Sequence, residues 1–311
     1  MRVVITGGAG FIGSNLAEYW VNNNAEVVII DNLRTGFEKN ILPLKGIEFY
    51  KRSITERDFL FEALKGADYV FNLAAMVSVP ESVEKPEETY QINIVGLKNL
   101  LDASRENGVK KLVHSSSAAI YGDDPEMPKV ESMKAKPISP YGETKYGGEL
   151  LCNEYREKFN LETISLRYFN VYGPRQNPFG AYTSVIPIFS LKTLKKEPMV
   201  IYGDGEQTRD FVFVKDVVKA NVLAATSKGV NGVFNVANGN TISINTLAGK
   251  IKKITGSESE IIYKPVREGD IKHSSASVEK AKRELNFTGS FTLDEGLIQT
   301  IDYYRKELET K

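Results

Sequence analysis

Short apolar runs and longer segments of helical period take turns along the first half of the chain. The runs are Arg2–Thr6, Glu26–Asp31, Ile47–Lys51, Tyr69–Leu73, Lys111–Ser115 and Glu162–Arg167. Between them, apolar positions recur at the spacing of one helix face, as Ile12, Leu16 and Trp20 do in the first intervening segment. Apolar strands alternating with amphipathic helices predict βαβ units and a parallel sheet covered on both sides. After Arg167 the rhythm loosens. Pro174, Pro178, Gly180, Pro187, Pro198, Gly203 and Gly205 cut the chain into loops and short elements. Beyond them a helix is expected around Lys215–Thr226, a strand at Val233–Val236, and helices near Ser243–Ile254, Val278–Leu285 and Leu293–Lys306. The reading is α/β: a doubly wound parallel sheet over residues 1–168, rejoined by part of 205–235, and a smaller, partly interleaved α/β domain over 169–311 that forms a cleft with it.

Bulk properties narrow the class. A chain of 311 residues can bury a full core. Its 40 basic and 40 acidic residues balance, so no global field recruits nucleic acid or an anionic membrane. A single cysteine, Cys152, excludes an internal disulfide framework and suits a reducing compartment. With two histidines and one cysteine there is no metal-ligand pattern. The first residues already read as a strand, Val3-Val4-Ile5, with no leader in front and no apolar run of membrane-spanning length behind. The expectation is a cytoplasmic protein.

The chemistry begins at Gly7-x-x-Gly10-x-x-Gly13, directly after the first strand and opening the first helix. Glycines there permit a tight turn and close backbone approach, and the helix N-terminus offers N–H groups and partial positive charge to a pyrophosphate. Strand, glycine turn and helix in this order point to a dinucleotide site of Rossmann type. Asp31 follows about twenty residues later, where a carboxylate bonds the adenosine ribose hydroxyls. A carboxylate also repels a 2′-phosphate, which favours NAD over NADP. Arg34 pulls the other way. Asp31 also has a plain structural reading, as a cap on the strand end.

A second constellation is Ser115-Ser116-Ser117 with Tyr141 and Lys145. Tyr141 and Lys145 are four apart in a helix predicted to begin near Pro140, so they share a face. A lysine ammonium beside a phenol favours the phenolate, which would make Tyr141 a usable base. The serines close the Lys111–Ser115 strand, and in an open parallel sheet the carboxyl ends of strands line the ligand crevice. A hydroxyl there, from Ser116 or Ser117, can hold a reacting oxygen against Tyr141. Alone, Tyr-x-x-x-Lys is a weak pattern and three serines can be a turn satisfying its own backbone. Together with the glycine turn they indicate proton transfer coupled to hydride transfer. Neither histidine competes: His114 falls within a strand, and His273 lies in a loop without a second ligand.

These residues resemble the extended short-chain dehydrogenases that act on nucleotide sugars, and among them most of all the UDP-hexose 4-epimerases. The likeness runs nearly end to end. It is carried by Thr6 to Gly13, Leu73-Ala74-Ala75, Asn93, Ser115 to Gly122, Tyr141 to Lys145, Arg167-Tyr168-Phe169-Asn170, and Gly203-Asp204-Gly205 leading to Arg209-Asp210-Phe211. The resemblance implies bound NAD, a transient 4-keto sugar, Tyr141 as base, Lys145 as its electrostatic partner and Ser117 on the sugar 4-oxygen. It implies NAD contacts from Gly7, Gly10, Phe11, Ile12, Gly13, Asp31, Asn32, Ser53, Ile54, Leu73, Ala74, Ala75, Asn93, Ser115, Tyr141, Lys145 and Tyr168. For the UDP-sugar substrate it implies Ser117, Asn170, Tyr202, Arg209, Arg267, Asp270 and Ser274. Residues 1–168 would then be the NAD-binding domain and 169–311 mainly the UDP-sugar-binding domain.

Departures from the family pattern bear on the substrate. Ser53-Ile54 stands where relatives carry a pair beginning with Asp, and Asn72 where they carry a histidine. Val77 replaces a lysine of glucose-type members. Ala118-Ala119 stands where dehydratases have acids, which argues against 4,6-dehydration. Ser274 falls at the position beside the sugar 2-substituent, and a small residue there admits an N-acetyl group. The family comparison therefore implies UDP-GlcNAc/UDP-GalNAc interconversion, with UDP-Glc/UDP-Gal in addition. A UDP-glucuronate 4-epimerase or decarboxylase is the alternative on the same fold, with Arg175 as the partner for a carboxylate. A nucleotide-sensing protein without turnover is the alternative of another class. Relatives imply a homodimer through helices at Glu81–Asn107 and Pro140–Phe159.

Overall fold

The computed structural model describes residues 1–179, 184–266 and 272–309. In chain order its strands are β1 (Arg2–Thr6), β2 (Glu26–Ile30), β3 (Ile47–Tyr50), β4 (Tyr69–Asn72), β5 (Lys111–Ser117), β6 (Thr163–Tyr168), β7 (Asn170–Tyr172), β8 (Met199–Tyr202), β9 (Thr208–Phe213), β10 (Gly232–Val236), β11 (Thr241–Ser243), β12 (Ile261–Lys264) and β13 (His273–Ser274). Seven of them form one sheet in the order β10-β6-β5-β4-β1-β2-β3, parallel at every pairing. Successive side chains of β1 go to opposite faces. Val3 and Ile5 pack with Leu16, Ala17 and Trp20 of the Phe11–Asn22 helix, while Val4 packs with Leu97, Leu100 and Leu101 of the Gly96–Glu106 helix. A strand buried on both faces needs apolar residues at every position, which is why these strands read as runs.

A second, smaller sheet is built around β9. That strand pairs antiparallel with β11 and parallel with β7 and β13, while β8 and β12 form a separate parallel pair. Phe189, Met199, Ile201, Phe211, Phe213, Leu247, Ile251, Leu297 and Ile301 form one hydrophobic core. The chain then returns: the Val214–Thr226 helix follows β9 without a break, and β10 joins the large sheet beside β6.

Several elements differ from expectation. β5 continues through the whole serine cluster, because Ser115, Ser116 and Ser117 pair with Leu166, Arg167 and Tyr168 of β6. The Glu81–Asn107 segment is not one helix. It divides into Val79–Glu84, Pro86–Tyr90, a π turn at Gln91–Val95 and Gly96–Glu106. Pro86 lacks the N–H that a continuous helix needs. The stretch expected as loops contains a helix at Val185–Leu194, with Pro187 in its first turn, where a missing N–H costs nothing. His273 sits in β13, its Nδ1 2.9 Å from Thr208 Oγ1. Among the described residues no helix is long and apolar enough to cross a membrane.

Candidate active site

Strand order reverses at β1: β2 and β3 lie to one side, β4, β5, β6 and β10 to the other. Beyond the carboxyl ends of these strands a crevice of about 500 Å3 opens at the switch point. Gly7, Gly10, Phe11, Ile12, Gly13, Asp31, Asn32, Ser53, Ile54, Leu73, Ala74, Ala75, Ser115, Tyr141, Lys145 and Tyr168 all line it. Asn93 does not. It is buried, its Oδ1 accepting the Met76 N–H at 2.8 Å and its Nδ2 donating to Thr144 Oγ1 at 2.9 Å. Asn93 thus ties the segment after β4 to the helix that carries Tyr141.

The Pro140–Phe159 helix starts where its sequence says it should. Ser139 caps it by accepting the Gly142 N–H at 3.2 Å, and Pro140 occupies the first position. Tyr141, Lys145 and Glu149 then follow at four-residue spacing on one face. Lys145 Nζ donates to the Ser115 carbonyl at 2.8 Å, and burial pushes its pKa down to about 8. The Tyr141 phenol moves up, because burial outweighs the hydrogen bond from Ser117 that pulls it down. The expected lowering by Lys145 is therefore not the dominant effect in the polypeptide itself. The ammonium is spoken for by the Ser115 carbonyl and lies 5.8 Å from the centre of the Tyr141 ring. Ser117 Oγ accepts the Ala119 N–H at 3.2 Å, and Ser115 Oγ lies 3.1 Å from Tyr168 OH.

Ser116 turns the other way, and here the sequence reading missed a network. Ser116 Oγ donates to Glu149 Oε1 at 2.7 Å, and Arg167 of β6 bonds the same carboxylate through Nε at 2.8 Å and Nη2 at 2.7 Å. The spacing offered only half of it: Glu149 continues the four-residue series begun by Tyr141 and Lys145, but nothing local points to Arg167. His114 is buried, 3.2 Å from Asn72 Nδ2 through its Nδ1, and burial with the nearby Lys145 charge holds it well below its ordinary pKa. That fits the structural role expected of it.

Among the described residues, Ser117, Asn170, Tyr202, Arg209 and Ser274 are not part of the crevice lining. Asn170 Nδ2 donates to the Asp210 carbonyl at 3.0 Å. Arg209 Nη1 donates to the Thr208 carbonyl at 2.9 Å and stands in register beside Ser274 on the neighbouring strand. Tyr202 ends β8 in register with Lys264, and its carbonyl accepts from Gln207 Nε2 at 2.7 Å. Asp210 is fully buried against the Asn238 and Gly239 amides at 2.8 and 3.0 Å, and burial raises its pKa to about 6. Arg267 and Asp270 lie outside the described residues. Arg175 is held against the first helix by Glu18 at 2.9 Å and the Ser14 carbonyl at 3.0 Å.

The sequence matches the NAD dependent epimerase/dehydratase family over residues 3–237. The chain belongs to that family. A putative UDP-glucose 4-epimerase of Methanocaldococcus jannaschii is 39% identical over 311 residues, which is 99% of this chain and 100% of that protein. The solved UDP-glucose 4-epimerase of Thermotoga maritima, with UDP-glucose, is 41% identical at a TM-score of 0.94, over 99% of this chain and 100% of that one. A UDP-N-acetylglucosamine 4-epimerase of Methanobrevibacter ruminantium, in complex with UDP-N-acetylmuramic acid, is 40% identical at a TM-score of 0.94, covering 98% of each chain.

As in the family, the coenzyme is NAD, and the crevice fits it. The Phe11–Asn22 helix opens at Gly10 with no side-chain cap and no acidic residue in its own first turn, so its positive end faces the crevice. A Cβ on Gly13 would fall 2.2 Å from the Gly7 carbonyl oxygen, and one on Gly7, whose φ is +69°, would fall 2.7 Å from Ala74 N. Glycine is what lets the loop lie this close to β4. Asp31 Oδ2 accepts the Ala9 N–H at 3.0 Å and Oδ1 the Leu33 N–H at 2.8 Å. A carboxylate has about four acceptor sites, so capacity remains for a ribose hydroxyl. Burial raises the Asp31 pKa against these amides.

Proposed function

We propose that this NAD-dependent 4-epimerase inverts C4 of UDP-N-acetylhexosamines, converting UDP-GlcNAc and UDP-GalNAc, and accepts UDP-Glc and UDP-Gal as well. The observation that carries the choice of sugar is Ser274. It is small, partly buried and paired in register with Arg209, a candidate diphosphate ligand. The M. ruminantium relative, named for UDP-N-acetylglucosamine, lends the same support; the T. maritima relative, named for UDP-glucose, supports the plain hexoses. Arg175, the cation reserved for a glucuronate carboxylate, is already paired with Glu18, which weighs against that alternative.

Bound NAD supplies the hydride acceptor and donor. Ser117 holds the sugar 4-oxygen and Tyr141 takes its proton as the C4 hydrogen leaves as hydride; the 4-keto sugar turns about its diphosphate, the hydride would return to the opposite face of C4, and Tyr141 gives the proton back to O4. Burial holds the phenol up, so Tyr141 becomes a base only with positive charge beside it. Lys145 and the oxidised nicotinamide are the two sources. Asn170, Tyr202, Arg209, Arg267 and Asp270 are the proposed UDP ligands.

The protein acts as a homodimer in this reading. The segments proposed for the interface leave Val83, Tyr90 and Leu150 exposed by 62%, 53% and 54%. Sedimentation at working concentration checks this, and a monomer would reject it.

The activity is tested by incubation with UDP-GlcNAc, without added reductant, and separation of the nucleotide sugars. UDP-GalNAc should accumulate to an equilibrium mixture with no net NADH. Conversion of UDP-Glc alone would refute the acetylated-sugar reading and keep the epimerase. Ser274→Tyr should abolish turnover of the acetylated sugars first.

A further inference from the structure

At the Asp31 end of the crevice stands a rim of charge that the reaction does not use. Arg34 and Glu81 both line the crevice there. Arg34 belongs to the turn after β2, its N–H donating to Asn32 Oδ1 at 3.1 Å. Its guanidinium reaches across to the helices that follow β4. Nη2 meets Glu81 Oε1 at 2.7 Å, and Nη1 meets Glu88 Oε1. Glu81 Oε1 also receives Lys85 Nζ at 3.4 Å. Arg34 holds both carboxyls below their ordinary range.

In this fold an arginine close behind the acidic residue that ends the second strand is what accommodates the 2′-phosphate of NADP. A guanidinium fork suits a phosphate better than any other side chain. Asp31 and Arg34 therefore pull coenzyme choice in opposite directions. The ion pairs resolve the conflict, because both arms of the fork are taken by carboxylates. The other guanidinium among the described lining residues is engaged through one arm: Arg52 Nη1 is paired with Glu56 at 2.6 Å, and the group lies 5.3 Å from the Phe59 ring centre.

We propose that Glu81 and Glu88 are determinants of coenzyme specificity that act through Arg34, holding its guanidinium in ion pairs and so denying it to a 2′-phosphate. A phosphate entering here must displace two carboxylates from one fork, next to a third at Asp31. NAD, with a free 2′-hydroxyl, meets no such competition. The proposal concerns the coenzyme alone and stands whichever sugar is turned over.

The test is equilibrium binding of NADH and NADPH to the coenzyme-stripped protein, followed by nicotinamide fluorescence. In Glu81→Gln/Glu88→Gln the NADPH affinity should rise against that of NADH by roughly tenfold, the worth of one charge-assisted hydrogen bond. Adding Arg34→Ala to that pair should remove the gain. An unchanged ratio overturns the proposal. So does a gain that survives Arg34→Ala, since the glutamates would then act by direct repulsion of the phosphate. Should the double variant lose NADH binding as well, Glu88→Gln alone carries the same test with the same readings, because Glu88 does not line the crevice.

Discussion

Two ion-pair networks serve one crevice under opposite physical conditions. At the floor, Glu149 and Arg167 are 4% and 5% exposed and joined at two points, with Ser116 as a third. At the rim, Arg34, Glu81 and Glu88 are 28%, 31% and 43% exposed. Buried charges survive only when hydrogen bonds replace the water they gave up. The floor nearly meets that condition: Arg167 Nη1 alone has no hydrogen-bond partner, and the guanidinium lies over the Tyr121 ring at 4.8 Å. Exposed charges keep most of their water and are screened by salt. Burial thus suits the floor to fixing geometry, and exposure suits the rim to selecting a ligand. The floor network joins β5, β6 and the Tyr141 helix, and so sets the register in which Tyr141 meets Ser117.

The largest effect expected tests what the floor positions. Tyr141→Phe should lower kcat by about 10²–10⁴, the usual worth of a general acid–base group. NADH binding should persist, because the phenol hydroxyl anchors no part of the glycine cradle. Loss of both together would mean that Tyr141 holds the fold of the site and not its chemistry.

Next comes the floor itself. Glu149→Leu leaves a buried guanidinium without its carboxylate, and breaking such a pair costs about 3–5 kcal/mol. Thermal or denaturant unfolding reads it. Replacing both members by apolar residues, Glu149→Leu with Arg167→Met, should recover much of that stability. kcat should recover less, if the charged pair also sets the helix register. Full recovery of both would reduce the network to packing.

The contrast between the networks also marks what the sequence could reveal. The sheet was legible because strands buried on both faces must be apolar throughout, and the glycine turn because Gly7 and Gly13 have no space for a Cβ. Tyr141 and Lys145 were legible as a spacing. The Glu149–Arg167 pair was not, because β5, β6 and the helix meet only through strand order, which local pattern does not give. Nor was the fate of Arg34, which depends on Glu81 and Glu88, 47 and 54 residues away in sequence. The strands β7, β8, β9, β11, β12 and β13 were missed for a related reason: each is held by its partners more than by its own pattern. The expected sugar ligands came from resemblance, and two of them, Arg267 and Asp270, lie outside the described residues.

A smaller effect separates burial from pairing. Lys145 is buried without a carboxylate partner, and its pKa falls from 10.5 to about 8 on folding. Between those values the unfolded chain binds more protons, so stability rises with pH across that window. At neutral pH the folded protein carries the full burial penalty of the ammonium, on the order of 3 kcal/mol. Unfolding of the apoprotein followed from pH 7 to pH 10 should therefore show the wild type gaining on Lys145→Met. A difference between the two that is flat in pH would mean that the Ser115 carbonyl repays the burial of the ammonium in full.

The smallest effect is predicted at the rim, and it is the sharpest form of the comparison. Glu88→Gln removes a carboxylate from an ion pair that water reaches, so the melting temperature should stay where it is at low salt and at high salt alike. The same substitution is the one expected to move NADPH affinity relative to NADH. Stability and specificity would then respond to different networks in the same crevice. A clear loss of melting temperature, relieved by salt, would show instead that Arg34 and its glutamates help hold the turn after β2 against the helices beyond β4. The rim would then share the structural work now assigned to Glu149 and Arg167.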